Sequence, residues 1–364
     1  MESTARNVTC RIAAASLITL IGCAGDQAHA QSSVSLYGMV DAGVEYVSNS
    51  AGHALAEMES NVGVPARLGF RGSEDLGGGL SAIFQLESEF SINNGTSLSP
   101  FWLWGSYVGL RSDTFGTVTV GRQFDFLHAS MPLNSTIMIE GGLSAGFEGF
   151  TSATPGTPPP AVSDHAGDGL YDNSVKWEKN FGPVSGGVMY GFGANNRHDS
   201  MQSAYLKYTN GGLQLGVGWS HDNFSTAQIA NDVFSIRALY TIGGLTLLAN
   251  YSQGKETVYP GSQAMARPFE VAANYYVTPF MTVGAGVGIA WDRSRSGESA
   301  TIIEPYLGTH YLLSKRTMLY LVAALNHSSN PSVIPATVTV VGGAPDASSG
   351  ANQLAVAIGV TTFF

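Results

Sequence analysis

Hydrophobic and polar residues alternate along the chain with the period of two that defines a β-strand. In residues 80–90, LSAIFQLESEF, Phe84 and Leu86 share one parity, and Gln85 and Glu87 share the other. The same alternation recurs at 34–47, 213–220, 281–292, 319–325 and 354–360. Because no long segment shows a convincing helical period, the pattern predicts an all-β chain.

The connections between these strands alternate between short and long. Short turns, most of them containing glycine or proline, are predicted at 75–79, 113–116, 182–183, 210–212, 243–244, 278–280 and 314–316. Longer polar segments lie at 48–65, 91–103, 123–171, 194–200, 223–231, 255–266, 293–300 and 328–351. These fifteen connections predict sixteen strands, with both chain ends on the side of the short turns.

The apolar face of each strand needs a covering. A soluble β-sandwich would cover it with a second sheet and would have loops of similar length at both ends. Roughly sixteen strands of about ten residues, with short turns at one end and long loops at the other, are typical of a transmembrane β-barrel. The sequence therefore predicts a 16-stranded antiparallel transmembrane β-barrel with short periplasmic turns and long extracellular loops. An interfacial aromatic belt is expected at the loop ends, formed by Trp102, Trp104, Trp219 and Trp291.

The composition agrees with a chain whose surface is only partly in water. Charged residues are 12% of the sequence, about half the share that is usual for a soluble protein. Glycine is abundant, at 45 residues. The formal net charge of −10 argues against a nucleic-acid partner, which would require a basic surface.

The N-terminal segment has the character of an export signal. Arg6 and Arg11 precede an apolar run at 12–24, and the small-residue motif AHA at 28–30 resembles a cleavage site. Residues 1–30 are therefore predicted to be a cleaved signal peptide. Residues 31–364 then form a single barrel domain. A lipoprotein-type cleavage before Cys23 is the alternative.

Nothing in the sequence predicts a cofactor, a metal site or a catalytic residue. The chain has two cysteines, Cys10 and Cys23, and both lie in the predicted signal peptide. The histidines are scattered and show no paired ligand spacing. The motif GLSAG at 142–146 fits the Gly-x-Ser-x-Gly pattern of hydrolases, but no strand-to-helix turn is predicted around it.

Four stretches resemble the trimeric general porins of Gram-negative outer membranes, in particular the β-proteobacterial group. They are LYGMVDAGVEY (36–46), ARLGFRGSEDLGGGLSAIFQLESEF (66–90), YVGLRSDTFGTVTVGRQFD (107–125) and AVAIGVTTFF (355–364). The resemblance implies a homotrimer in the outer membrane that contacts lipid and lipopolysaccharide. It also implies passive diffusion of ions and small hydrophilic solutes through the barrel.

The longest predicted loop, 123–171, is a candidate constriction. It is far longer than a hairpin turn requires, and the resemblance implies that the third loop folds into the lumen. The tract TPGTPPP at 154–160 would stiffen the returning arm of such a loop. The same segment can also be read as an extracellular tip.

The resemblance implies that arginines on the wall face carboxylates on the constricting loop. Arg67 and Arg71 have the inward parity, and Arg67 and Arg122 match wall-arginine positions of the family. Arg122 shares the outward parity of Val118 and Val120, so it needs a strand end or a bulge to turn inward. The arginines favour a weak anion preference. The available loop carboxylates are Asp125, Glu140 and Glu148.

Two further functions are left open by the residues. A substrate-specific uptake channel would line its lumen with a binding ladder. The candidates for it are the inward tyrosines Tyr37, Tyr107, Tyr205, Tyr306 and Tyr320. An adhesin or purely structural barrel would have a closed pore.

Overall fold

The computed structural model describes residues 33–129, 170–192, 200–224, 229–338 and 346–364. These residues form eighteen strand segments in one antiparallel sheet, together with one short helix, α1 (Phe126–Ala129). The strand segments are β1 (Ser33–Ser50), β2 (His53–Ser60), β3 (Arg67–Gly77), β4 (Leu80–Glu89), β5 (Gly105–Ser112), β6 (Gly116–Phe124), β7 (Leu170–Phe181), β8 (Val184–Gly191), β9 (Met201–Asn210), β10 (Leu213–Phe224), β11 (Ile229–Ile242), β12 (Leu245–Val258), β13 (Ser262–Ala266), β14 (Pro268–Thr278), β15 (Met281–Arg293), β16 (Ser299–Leu312), β17 (Thr317–Ser328) and β18 (Asn352–Phe363).

The sheet closes on itself into a barrel. Strand β1 pairs with β18 from Met39 opposite Phe363 to Val47 opposite Ala355, and on its other side it pairs with both β2 and β3. Segments β2 and β3 are thus two parts of one barrel strand. Segments β13 and β14 are likewise one strand, because both pair with β12. The described residues therefore form the predicted closed barrel of sixteen antiparallel strands.

Two of the predicted loops are largely strand, and for those segments the prediction was wrong. In 48–65, β1 continues to Ser50, reverses at Ala51 and Gly52, and returns as β2. In 255–266, β12 continues to Val258 and β13 begins at Ser262. Alternate residues of these hairpins differ little in hydrophobicity, so the sequence pattern does not mark them as strands.

The two faces of the barrel differ as the alternation predicts. Large apolar side chains such as Val44, Leu319 and Ile358 are exposed on the outer face, where a membrane would cover them. Trp219 and Trp291 are also exposed. Trp291 lies near the end of β15, as expected for an aromatic belt, whereas Trp219 lies in the middle of β10. No helix among the described residues has the length and hydropathy of a membrane span.

Tyrosines and glycines form matched pairs across strands on the inner face. Tyr306 lies opposite Gly286 and Tyr320 lies opposite Gly359. A Cβ atom at either glycine would overlap the tyrosine ring. These glycines therefore seat aromatic rings flat against the wall. Gly286, on β15, therefore borders an aromatic ring and not open water.

The described beginning of the third loop enters the barrel. Helix α1 packs against β8, β9 and β10, Phe126 and Leu127 are fully buried, and the Phe126 N–H donates to Ser203 Oγ at 3.4 Å. Residues 130–169 of the predicted constriction loop, including Glu140 and Glu148, lie outside the described residues, and the last two residues of that prediction begin β7. The predicted signal peptide also lies outside them.

Substitution of Gly72 by alanine is expected to destabilise the barrel by about 1–3 kcal/mol, the usual cost of overpacking. The outer face has a glycine–aromatic pair of the same kind: Gly72 lies opposite Phe84, and a Cβ at Gly72 would overlap the phenyl ring. Adding Phe84→Ala should remove most of that cost. Urea unfolding of the refolded protein in detergent, followed by circular dichroism, measures both values.

The matched control for this cycle is Gly105→Ala. The nearest atom to a Cβ at Gly105 is Gln85 Nε2 at 3.9 Å, an ordinary contact. Equal costs for Gly72→Ala with and without Phe84 would contradict the ring-seating explanation.

Candidate functional site

Arg67 begins β3 and lies on the inner face, where its guanidinium group has two partners. The guanidinium carbon is 3.7 Å from the centroid of the Trp104 ring. Its Nη1 atom is 3.5 Å from Glu87 Oε1 on the neighbouring strand β4. The stacking and the ion pair hold this side chain against the wall.

Glu87 is the centre of a small polar network beside Arg67. The Tyr37 hydroxyl donates to Glu87 Oε2 at 2.6 Å, and Gln85 Nε2 donates to the same oxygen at 3.4 Å. The Tyr107 hydroxyl in turn donates to Gln85 Oε1 at 2.9 Å. Because Glu87 forms an ion pair with Arg67 and accepts these hydrogen bonds, it fixes the orientation of the wall residues around it.

Arg71 lies two inward positions further along β3, beyond Gly69, and is more exposed than Arg67. Its guanidinium carbon is 4.9 Å from the Tyr37 ring centroid. Arg71 and Arg111 line a recess of about 360 Å³ in the inner wall, together with Gln85 and Tyr107. The structure therefore adds Arg111, on β5, to the arginines that the sequence singled out.

Trp104 and Glu89 also belong to the site, although the sequence predicts an aromatic-belt position for Trp104 and gives Glu89 only an inward parity. The Trp104 indole N–H donates to Glu89 Oε2, and Asn61 Nδ2 donates to Glu89 Oε1 at 3.1 Å. Trp104 therefore faces Arg67 and Glu89 and does not belong to the outer aromatic belt. The inward parity of Glu89 was visible in the sequence, whereas Trp104 lies in a loop and had no parity to read.

Arg122 does not join the other arginines. The bulge that the sequence called for is present between β6 and β7, but Arg122 pairs with Ser106 and keeps the parity of Val120. Its Nη1 atom is 2.6 Å from Asp172, an acid with a largely exposed side chain. The bulged residues belong to β7, so the turn of β6 that would have brought Arg122 inward does not occur.

Asp125, the described member of the predicted loop carboxylates, is fully buried at the start of the third loop. Nearby, Lys176 donates from Nζ to the Phe124 carbonyl at 3.0 Å and lies 4.5 Å from the Phe126 ring centroid. A cation from β7 thus holds the point at which the loop leaves the wall. The arrangement fixes where the loop enters the lumen.

The comparisons with known proteins agree with this architecture. The profile of the Gram-negative porin family matches residues 13–331. Outer membrane porin protein 32 of Delftia acidovorans is 29% identical over 374 residues, covering 96% of this chain and 99% of that protein. The major outer membrane protein P.IB of Neisseria meningitidis serogroup B is 28% identical and covers 79% of this chain and 86% of its own.

A solved structure is similar over almost the whole chain. The anion-selective porin from Comamonas acidovorans superposes with a TM-score of 0.76 at 25% identity, covering 92% of this chain and 100% of its own. A closed antiparallel barrel with a polar inner wall and an apolar outer face is the architecture of an outer-membrane channel. This chain belongs to the Gram-negative porin family, and it forms a channel for passive diffusion across the outer membrane.

Replacing Trp104 tests how much its contacts with Arg67 and Glu89 stabilise the barrel. Trp104→Phe keeps a ring for Arg67 but leaves Glu89 without its indole donor, and we expect a loss of about 1–3 kcal/mol of unfolding free energy. Trp104→Leu also removes the cation–π contact, adding about 0.5–2 kcal/mol. Urea unfolding in detergent measures both.

Trp102→Phe is the control for this pair, because the Trp102 ring contacts are to Phe70 and Phe101. It should cost clearly less than Trp104→Phe. Equal losses for the two tryptophans would mean that the indole hydrogen bond to Glu89 contributes nothing.

Proposed function

We propose that the channel weakly prefers anions and that Arg67, Arg71 and Arg111 supply the preference. The observation that carries the proposal is the inner wall of β3 and β5, where Arg71 and Arg111 border one polar recess. Arg67 is partly neutralised by Glu87, so Arg71 and Arg111 contribute most of the positive field. The similar structure from Comamonas acidovorans is described as anion-selective, which supports the same sign.

The negative side of the constriction is assigned to the third loop. Asp125 marks the start of that loop inside the barrel, and Glu140 and Glu148 follow it in the sequence. Arginines on the wall and carboxylates on the loop would impose a field across the lumen, and fields at this range select ions. Arg122 has no part in this field, because it lies on the outward parity.

The channel is further proposed to work as a homotrimer that contacts outer-membrane lipid and lipopolysaccharide. One of the similar barrels, OmpT of Vibrio cholerae, is described in a trimer form; at 17% identity it supports the fold alone. The exposed apolar belt of the outer face supports contact with lipid and with neighbouring copies. Residues 1–30 are proposed to be removed on export, leaving 31–364 as the barrel domain.

General diffusion is favoured over a solute-specific channel by the state of the inward tyrosines. Tyr306 and Tyr320 are buried against glycines, and the Tyr37 hydroxyl is bonded to Glu87. Tyrosine rings that lie flat on the wall, with their hydroxyl groups already hydrogen-bonded to carboxylates, are not available to bind a solute. We propose that the protein conducts solutes and carries out no catalysis.

Arg71→Ala and Arg67→Ala are each expected to shift the reversal potential toward cation preference. Each removes one positive charge from the lumen wall, and Arg67→Ala also leaves the Glu87 carboxylate uncompensated. The measurement is the zero-current potential of the channel in a planar bilayer under a salt gradient. The unmodified channel should show a weak anion preference and close in three equal steps.

Arg122→Ala is a control with the same change in charge at a site outside the lumen. It should leave the reversal potential unchanged. A cation preference in the unmodified channel, or equal shifts from Arg122→Ala and Arg71→Ala, would refute the arginine-wall assignment. Folded protein without any conductance would refute the open channel itself.

A further inference from the structure

Between β2 and β3 the barrel strand is interrupted by residues 61–66, which we call the inward strap. On β1, Met39 lies opposite Arg67 and Ala42 lies opposite Ser60. Only Val40 and Asp41 of β1 therefore face this stretch, so six strap residues oppose two residues of the neighbouring strand. The excess chain must leave the plane of the sheet.

The strap leaves the sheet on the lumen side. All six of its residues are buried, with Val62, Val64 and Ala66 at most 1% exposed. Gly63 contacts Tyr320 and Asp41 closely enough that a Cβ there would lie 2.8 Å from the tyrosine ring. Both contacts are inner-face residues. An outward strap would instead have placed unpaired backbone groups in lipid, where each is costly.

Asp41 fastens the strap to the wall. Its Oδ1 atom accepts the Gly63 N–H at 2.8 Å and the Tyr320 hydroxyl at 3.1 Å. Its Oδ2 atom accepts the Thr361 hydroxyl at 2.5 Å. A fully buried carboxylate with three described donors thereby joins the strap to β1, β17 and β18. These are the strands on either side of the barrel closure.

The other side of the strap is joined to the candidate site. Asn61 Oδ1 accepts the Ala66 N–H at 2.7 Å, which draws the two ends of the strap together. Asn61 Nδ2 donates to Glu89, the acid that also accepts the Trp104 indole. Arg67 is the next residue along the chain. The position of the strap and that of the Arg67 cluster are therefore fixed by the same contacts.

We propose that the inward strap is a second constricting element of the channel, separate from the third loop, and that Asp41 is the positioning residue that holds it in the lumen. The proposal rests on the channel function and concerns the width of the pore beside Arg67. It follows that releasing or shortening the strap widens the pore.

Two substitutions at Asp41 separate the tether from the charge. Asp41→Ala removes every acceptor, so we expect a larger single-channel conductance and faster entry of large neutral sugars in liposome swelling. Asp41→Asn removes the same charge but keeps Oδ1 for Gly63 and Tyr320, and its amide can donate to Thr361. It should therefore retain the conductance of the unmodified channel.

A deletion tests the strap without touching Asp41. Removing residues 62–65 leaves Asn61 and Ala66 opposite Asp41 and Val40, which restores a regular ladder with its parity intact. This variant should fold, as judged by its β circular dichroism, and should also conduct more than the unmodified channel. It keeps the proposal testable if Asp41→Ala fails to fold.

Thiol accessibility reports the position of the strap directly. Val62 is fully buried, so a thiol introduced by Val62→Cys should resist a charged methanethiosulfonate reagent in the otherwise unmodified channel. Adding Asp41→Ala should make it reactive. Mass spectrometry of the modified protein locates and quantifies the reaction.

Three results would overturn the proposal. They are unchanged conductance after deletion of 62–65, equal conductance of the Asp41→Ala and Asp41→Asn channels, or a Val62→Cys thiol that reacts with Asp41 in place. Each is measured against an unmodified channel that conducts. A silent unmodified channel would instead refute the channel function, so the two failures are distinguishable.

Discussion

The rest of the structure depends on the pairing of β1 with β18, because it removes the last free edge of the sheet. In an apolar surrounding no water can satisfy an open strand edge, so every backbone group in the wall needs a protein partner. The terminal residue extends this closure: Phe364 exchanges two backbone hydrogen bonds with Gly38, and a side chain at Gly38 would overlap its ring. Closure therefore requires regular strands on the lipid-facing side, and irregular segments can lie only on the lumen side.

The same constraint explains why two departures from regular strand lie inside the barrel. The inward strap and helix α1 both lie on the lumen side, where side chains of the inner face supply hydrogen-bond partners. Asp41 accepts a hydrogen bond from the backbone of the strap. At the beginning of the third loop, Lys176 donates to a backbone carbonyl and Ser203 accepts from a backbone N–H. The outer wall is left to alternating apolar residues. The polar inner wall is then free to carry charge, with Arg67 stacked and paired and Arg71 exposed.

Alternation of polarity was enough to predict the strand number, the short turns and the facing of Arg67 and Arg71. It failed where the contrast in hydrophobicity between the two faces of a strand is weak, as in the β1–β2 and β12–β13 hairpins. It also could not place Trp104, because a loop residue has no parity. Nor could it pair Tyr306 with Gly286, because the local sequence does not determine the register between neighbouring strands. Arg122 was the instructive case. Its parity gave the right facing, and the family match had suggested the opposite one.

The inward strap has a consequence for how such a channel can diverge. Its six residues are inserted opposite two, an even excess, so the parity of every following residue on β3 is unchanged and the lipid-facing surface stays the same. An insertion or deletion of even length at this point alters the cross-section of the lumen and leaves the membrane fit alone. Insertions and deletions of this kind can therefore change which solutes pass through the barrel while its lipid-facing surface stays unchanged.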